Sequence, residues 1–361
     1  MTPLQIILIV SIVSGIVVLS LTLGLTLGLK NKPTKYVDSK EEQLGVLNSY
    51  DNTDVLVKKY QVLNPTYVNE GIEKNIQNRL LTGFENWNRG FNTWKAWGNI
   101  LYIPESIYNV HGARLSLASY QNAMDVSLQR ATILMGDFHN MLIVNNYCGI
   151  HYDFTSNGRK SRVMEFVQFA QTDEHGTYVN EGWGSTKDST CDGLRAGFQA
   201  TAQSSEQNTL ENELLNLVIP SSNDLKEKYP IKYPTDYSAE EEKKLEIILE
   251  GFDAWNNGIE AYKAWVDEAY DKNAKSSGLN EVERTMDEYK KEMEELCNEK
   301  TITKLRFDNV LIREDWAGIH YRYRIEEDSE KGIEKYVGDR MQFLKFQEIG
   351  GSLKIVASWI Q

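Results

Sequence analysis

From Ile72 onward apolar residues recur at intervals of three and four. Leu80, Phe84, Trp87, Phe91, Trp94 and Trp97 fall on one stripe of a helix. The spacing returns as Ile248, Phe252, Trp255, Ile259, Tyr262 and Trp265, in the paired strings GFENWNRGFNTWKAW and GFDAWNNGIEAYKAW. Gly90 and Gly258 interrupt the pattern at matching places, which predicts two packed helices separated at a glycine cap. Leu101 to Val110 then reads as extended and Leu115 to Leu134 as helical. The period next shortens. Phe138 to Val144 and Ile150 to Thr155 flank a short polar turn, predicting a hairpin. Val163 to Gln171 and Tyr178 to Trp183 predict two further strands, parted by Asp173-Glu174-His175-Gly176. The hairpin string FHNMLIVNNYCGIHYDF, starting at Phe138, returns at a constant offset of 169 as FDNVLIREDWAGIHYRY, starting at Phe307. Further on, Met341 to Phe346 answers Met164 to Phe169, and Trp359 answers Trp183. Helices followed by consecutive strands, twice over, is an α+β plan.

The segments outside the repeat have other patterns. Leu4 to Leu29 contains no charged residue. As a helix it would be about 39 Å long at roughly 1.5 Å per residue. That exceeds the ~30 Å hydrocarbon core of a bilayer, so a tilted membrane anchor is expected. A cleaved signal peptide would instead show a basic start and a small-residue cleavage site, and neither is evident. Lys30, Lys32 and Lys35 follow the span and no Lys or Arg precedes it, which leans towards a body on the cytosolic side. Residues 30–68 read as a polar stalk whose one apolar run, Val55 to Leu63, suggests a short strand. Residues 199–237 hold Pro220, Pro230 and Pro234 and read as a linker with a short amphipathic helix near Leu210 to Val218. This leaves domains at 69–198 and 238–361. The second opens on a capping-box pattern, Ser238 to Glu241. It shows no clear counterpart of LYIPESIYNVHG; Ala269 to Lys300, mostly charged and helical, stands there instead.

A net charge of −13 argues against a nucleic-acid partner, which a basic surface would serve. Asp236 to Lys300 carries 19 acidic and 9 basic residues, most of that excess, and reads as a solvated helical face. Three cysteines, Cys148, Cys191 and Cys297, make no disulfide framework, although an oxidising compartment would let Cys148 pair with Cys191. The one Asn-x-Thr string is blocked by Pro65. No zinc spacing, phosphate loop or nucleophile elbow appears, so no metal and no cofactor is expected.

An extended segment ending His111-Gly112, Gly149-Ile150-His151 in a hairpin, the strand Val163 to Phe169, and Glu181-Gly182-Trp183 together resemble the nuclear transport factor 2-like superfamily, more narrowly its SnoaL-like, polyketide cyclase-like branch. The resemblance covers about 75–198 well and 238–361 more loosely. It implies two tandem cone-shaped α+β domains, each a curved antiparallel sheet wrapped by N-terminal helices with an apolar pocket at the open end, behind one transmembrane helix. In the cyclases a carboxylate usually lies four residues after the strand-end tryptophan; here Asp188 comes five after Trp183, and the second copy has no residue at that place.

His151 and Asp153 share one face of a strand, an arrangement suited to general acid–base work. With His111 they are the candidate catalytic residues. Tyr108, Glu105, His139, Tyr152 and Trp183 are the candidate lining of the pocket. His320 repeats His151, but Arg322 replaces the acid, which favours a structural role for the repeated histidine. Two readings stay open. One is a membrane-tethered protein that binds a small hydrophobic ligand or a protein partner, with a structural second domain and with domain pairing or a homodimer as the assembly. The other is a lyase, isomerase or cyclase acting on a hydrophobic carbonyl substrate in the first domain. Trp183 and Trp359 are expected to pack on the helical stripes.

Overall fold

The computed structural model describes residues 53–60, 68–110, 113–128, 133–156, 158–172, 176–186, 212–233, 235–277, 282–329 and 332–360. The expected membrane span at 4–29 and most of the stalk lie outside them, as do His111, Asp188 and Cys191. Among the described residues no helix is long and apolar enough to cross a membrane.

The first half begins with α1 (Thr53–Lys59), α2 (Ile72–Arg89) and α3 (Phe91–Leu101), and its fourth helix is α4 (Leu117–Leu128). Its strands are β1 (Tyr102–Val110), β2 (Ala113–Ser116), β3 (Ile133–Val144), β4 (Tyr147–Ser156), β5 (Arg159–Thr172) and β6 (Gly176–Thr186). The second half has α5 (Leu225–Lys228), α6 (Ala239–Asn256), α7 (Ile259–Ala269) and α8 (Met286–Glu299). Its strands are β7 (Ile231–Tyr233), β8 (Tyr270–Ser277), β9 (Glu283–Arg284), β10 (Thr301–Arg313), β11 (Trp316–Ser329), β12 (Gly332–Ile349) and β13 (Ser352–Ile360). The first sheet runs β2-β1-β6-β5-β4-β3, and the second reads β9-β8-β13-β12-β11-β10-β7 from the corresponding edge. Strand order therefore repeats, as the duplicated strings require. Register repeats too, with Asn140 opposite His151 and Asn309 opposite His320.

Gly90, closing α2, and Gly258, opening α7 just after the Asn257 cap of α6, have φ of 140° and 108°, a region closed to most side chains, so chain direction changes there as the sequence predicts. All six residues of the first stripe are buried. The Ser238–Glu241 capping box is formed in full. Both sheets are mainly antiparallel, with parallel pairings between β1 and β6 and between β8 and β13. Irregularities recur at matching points, between Phe138 and Asn140 and between Phe307 and Asn309. Bulges of this kind bend strands and let a sheet curl around its helices.

Three sequence expectations need correction. Val55 to Leu63 does not open as a strand: residues 53–59 are helical, because Leu56 and Tyr60, four apart, both dock on the first core. The second half does have the extended segment thought missing. Tyr270–Ser277 pairs with β13 as Tyr102–Val110 pairs with β6, and its polar composition hid it. Third, Trp183 and Trp359 do not pack on the helical stripes. The inner faces of the sheets hold Ile150, Tyr152, Val163 and Val167 against the first half's helices, and Ile319, Tyr321 and Leu344 against the second's. Period-two alternation sends Leu142, Met164, Phe166 and Trp183 to the outer face, where they meet Leu311, Met341, Phe343 and Trp359 of the other half. The two sheets thus pack outer face to outer face.

Candidate functional site

The repeated Gly-Ile-His-Tyr string has one residue for each duty along an alternating strand. Ile150 and Tyr152 enter the first inner core, whereas Gly149 and His151 face the other half. A Cβ on Gly149 would lie 3.1 Å from Phe166 and 3.3 Å from Phe343, so only glycine lets these rings close over the strand. His151 stacks on Phe343 with ring centroids 6.0 Å apart and lies 6.5 Å from Trp359. Reciprocally, His320 stacks on Phe166 at 5.6 Å and lies 5.4 Å from Trp183. A contact made twice with roles exchanged is the mark of a two-fold interface, here within one chain.

This geometry places His151 and Asp153 on the outer face of the first sheet, away from its inner core, correcting the candidate catalytic pair. Burial, then the charges of His139 and Arg162, hold His151 well below the ordinary histidine value, so it is neutral. Asp153 takes its contacts from His139 at 2.8 Å, Arg162 at 3.2 Å and Lys160, rather than from His151. Burial opposes its charge, but these hydrogen bonds prevail and keep it below the usual carboxylate range. His139, Asp153 and Arg162 correspond to Asp308, Arg322 and Asp339 in the second half, where acidic and basic residue types are exchanged. Arg322 donates to Asp308 at 2.6 Å and His320 meets Asp339 at 3.2 Å. The replacement of Asp153 by Arg322 is therefore a compensated charge exchange on the outer face.

Of the candidate lining, Tyr108 and Tyr152 point inward. Glu105 is exposed, because the alternation that buries Ser106 and Tyr108 turns it outward. His139 and Trp183 belong to the outer face.

Glu165, an acid at an inward position of β5, completes the inner site. It lies between the inward residues Val163 and Val167 on β5. Tyr152 Oη donates to Glu165 Oε1 at 2.6 Å, and the Tyr108 hydroxyl is a second donor. Tyr108 stacks on Tyr120 at 4.4 Å, and Tyr120 meets Trp94 edge-on at 5.7 Å. Burial raises the Glu165 pKa, opposed by its two tyrosine hydrogen bonds. Burial, and then the same carboxylate, push Tyr108 and Tyr152 well above the ordinary phenol value. A carboxyl group so placed can accept a hydrogen bond from a bound polar atom or exchange a proton with it. Among the described residues no group of three His, Cys, Asp or Glu side chains is placed to hold a metal ion.

No family model matches the sequence, and no curated protein matches it. Solved structures do. A nuclear transport factor 2-like protein of unknown function from Pseudomonas putida KT2440 is 14% identical with a TM-score of 0.27, covering 35% of this chain and 89% of its own. A ketosteroid isomerase-like protein from Erwinia carotovora atroseptica SCRI1043 is 13% identical with a TM-score of 0.28, covering 34% and 96%. A candidate SnoaL-like polyketide cyclase from Jannaschia sp. CCS1 is 14% identical with a TM-score of 0.27, covering 36% and 90%. Each is similar to about one third of this chain.

Proposed function

We propose that the first half binds a small, largely apolar ligand between its helices and the inner face of its sheet, with Glu165 as the polar anchor. The observation that carries this reading is the Glu165 carboxyl set between Val163 and Val167 on the inner face and held by Tyr152 and Tyr108. Pockets of this composition gain affinity from buried apolar area and orientation from a few polar groups. A carbonyl or hydroxyl on the ligand would exchange hydrogen bonds with Glu165 and the two hydroxyls. In this reading the protein is tethered to a membrane through residues 4–29, a part that rests on the uncharged span in the sequence.

Native mass spectrometry of the full chain, released from a non-ionic detergent, tests the proposal. The parent should carry a co-purifying small molecule, and Glu165→Ala should lose it while keeping its melting temperature within a few degrees. A folded parent that flies free of any adduct, from several expression hosts, counts against ligand binding.

One observation favours proton transfer as a second reading: a carboxyl whose pKa burial raises lies within hydrogen-bond reach of a tyrosine hydroxyl, Tyr152 Oη, at 2.6 Å. A carboxyl poised in this way could shuttle a proton at the carbon next to a ligand carbonyl, with a tyrosine hydroxyl donating to the developing oxyanion. Deuterium exchange into simple apolar ketones by the parent, lost in Glu165→Gln, would support it. Exchange at equal rates in both proteins would end it.

A further inference from the structure

The second half carries the opposite chemistry at the same inner positions. Register pairs Met135 with Phe154, Val163 with Tyr152 and Glu165 with Ile150; the matching pairs are Lys304 with Tyr323, Arg340 with Tyr321 and Gln342 with Ile319. Two apolar residues and an acid in the first half are thus two cations and an amide in the second. The Lys304 side chain is almost wholly buried. Its ammonium lies 4.7 Å from the ring centre of Phe252, 4.9 Å from Trp255, 5.1 Å from Tyr262 and 5.5 Å from Tyr321. Arg340 lies 5.3 Å from the Tyr323 ring and reaches the hydroxyls of Tyr321 and Tyr323. Both cations line one cavity of about 20 Å³ with Tyr262, Tyr289 and Gln342. Neither has a carboxylate partner among the described residues; aromatic faces and hydroxyls, the Gln342 amide and the Cys297 thiol stand around them.

Ring faces and hydroxyls soften the burial of two like charges but do not neutralise it. An isolated buried ion is destabilising, and a second of the same sign close by adds repulsion. The group that would relieve both terms together is an anion, and an arginine fork beside an ammonium is the usual way to hold one. The volume limits its size, since about 20 Å³ admits roughly one water-sized group. We propose that the second half is a binding site for a compact monoanion, a carboxylate head group or a halide, held between Lys304 and Arg340. The site is separate from the one around Glu165 and stands whether or not the first half binds its own ligand. It also gives the second half a role besides packing against the first.

The test uses the full chain in a non-ionic detergent and a zwitterionic buffer free of chloride. Line broadening of ³⁵Cl from sodium chloride and of ¹³C from labelled sodium formate reports binding directly. The parent should broaden at least one of the two, with formate and chloride competing. Benzoate and inorganic phosphate, being larger or doubly charged, should not compete. Lys304→Met and Arg340→Gln should each lose the broadening, with folding checked by circular dichroism and cooperative melting. Lys304→Met keeps the side chain's length and is expected to fold, so a loss there is not loss of structure. Whether chloride or formate gives the tighter competition assigns the source. No broadening by the parent, equal broadening in the folded variants, or competition by phosphate or benzoate alone would each overturn the proposal.

Discussion

An unfolded chain keeps a lysine protonated up to about pH 10.4, whereas burial and then Arg340 hold the folded Lys304 amine down to about 7. Between those values the unfolded state binds the extra proton, so stability rises with pH through the window and is lost as pH falls. The groups facing the amine do not blur the effect at first. Arg340 stays charged, and burial raises the folded values of Tyr262, Tyr289, Tyr321, Tyr323 and Cys297. An unfolded thiol ionises near 8.5, so the clean range is about pH 7 to 8.5. In chloride-free buffer the denaturation midpoint should climb over that range for the parent and climb measurably less for Lys304→Met. Parallel slopes for the two proteins would show that the amine does not lose its proton on folding. Residue-level legibility was uneven for a related reason. Tyr108 and Tyr152 are apolar enough to read as inward-facing from the alternation alone, but an acid or amine at an inward strand position looks like surface in sequence until the alternation is carried through it. Val163-x-Glu165-x-Val167 held that signal for Glu165. Lys304 did not, because strand irregularities beside it shift which residues face inward.

At the scale of elements, the duplication extends further upstream than the hairpin strings show. Tyr60 donates to Glu85 at 2.9 Å and accepts from Asn88 at 3.1 Å. Tyr229 donates to Asp253 at 3.0 Å and accepts from Asn256 at 3.1 Å. Both asparagines then bond the backbone of the long hairpin strand: Asn88 at Met135, and Asn256 at Lys304. The short helices α1 and α5 are therefore latches that tie the start of each half to its longest helix and first hairpin strand. Lys59-Tyr60 and Lys228-Tyr229 stand at the same offset of 169, so this was readable. The run Val-Leu-Val drew attention to strand propensity, which tertiary docking overrides. Removing one hydroxyl that both donates and accepts costs about 1–2 kcal/mol. Tyr60→Phe and Tyr229→Phe should each lower stability by such an amount in urea titrations, with little effect on the slope. If either is silent, its latch is ornamental to that half.

For the whole molecule, strand alternation told which residues point inward but not what lies beyond the outer face. Strands apolar on both faces, such as Met141 to Val144, signal a second layer without naming it. Here the second layer is the other copy. The Phe166 and Phe343 ring centres lie 5.9 Å apart, with a histidine and a tryptophan from each half around them. At the rim Arg313 reaches across to Glu73 at 2.7 Å, and Tyr233 reaches Glu181 at 3.3 Å. A chain that covers this face with its own repeat has no need of a second chain there. Phe343→Asp puts a charge among Phe166, His151 and Gly149, where no described cation is bonded to neutralise it, and truncating such a ring alone costs about 3–5 kcal/mol. Each half keeps its own inner core, so the loss should fall on the coupling between halves. Scanning calorimetry of the detergent-solubilised full chain should then change from one endotherm in the parent to two in Phe343→Asp. The near-ultraviolet aromatic signal should weaken while the far-ultraviolet spectrum is kept. A single endotherm shifted down as one would mean that neither half folds without the other, and that the interface belongs to one continuous core.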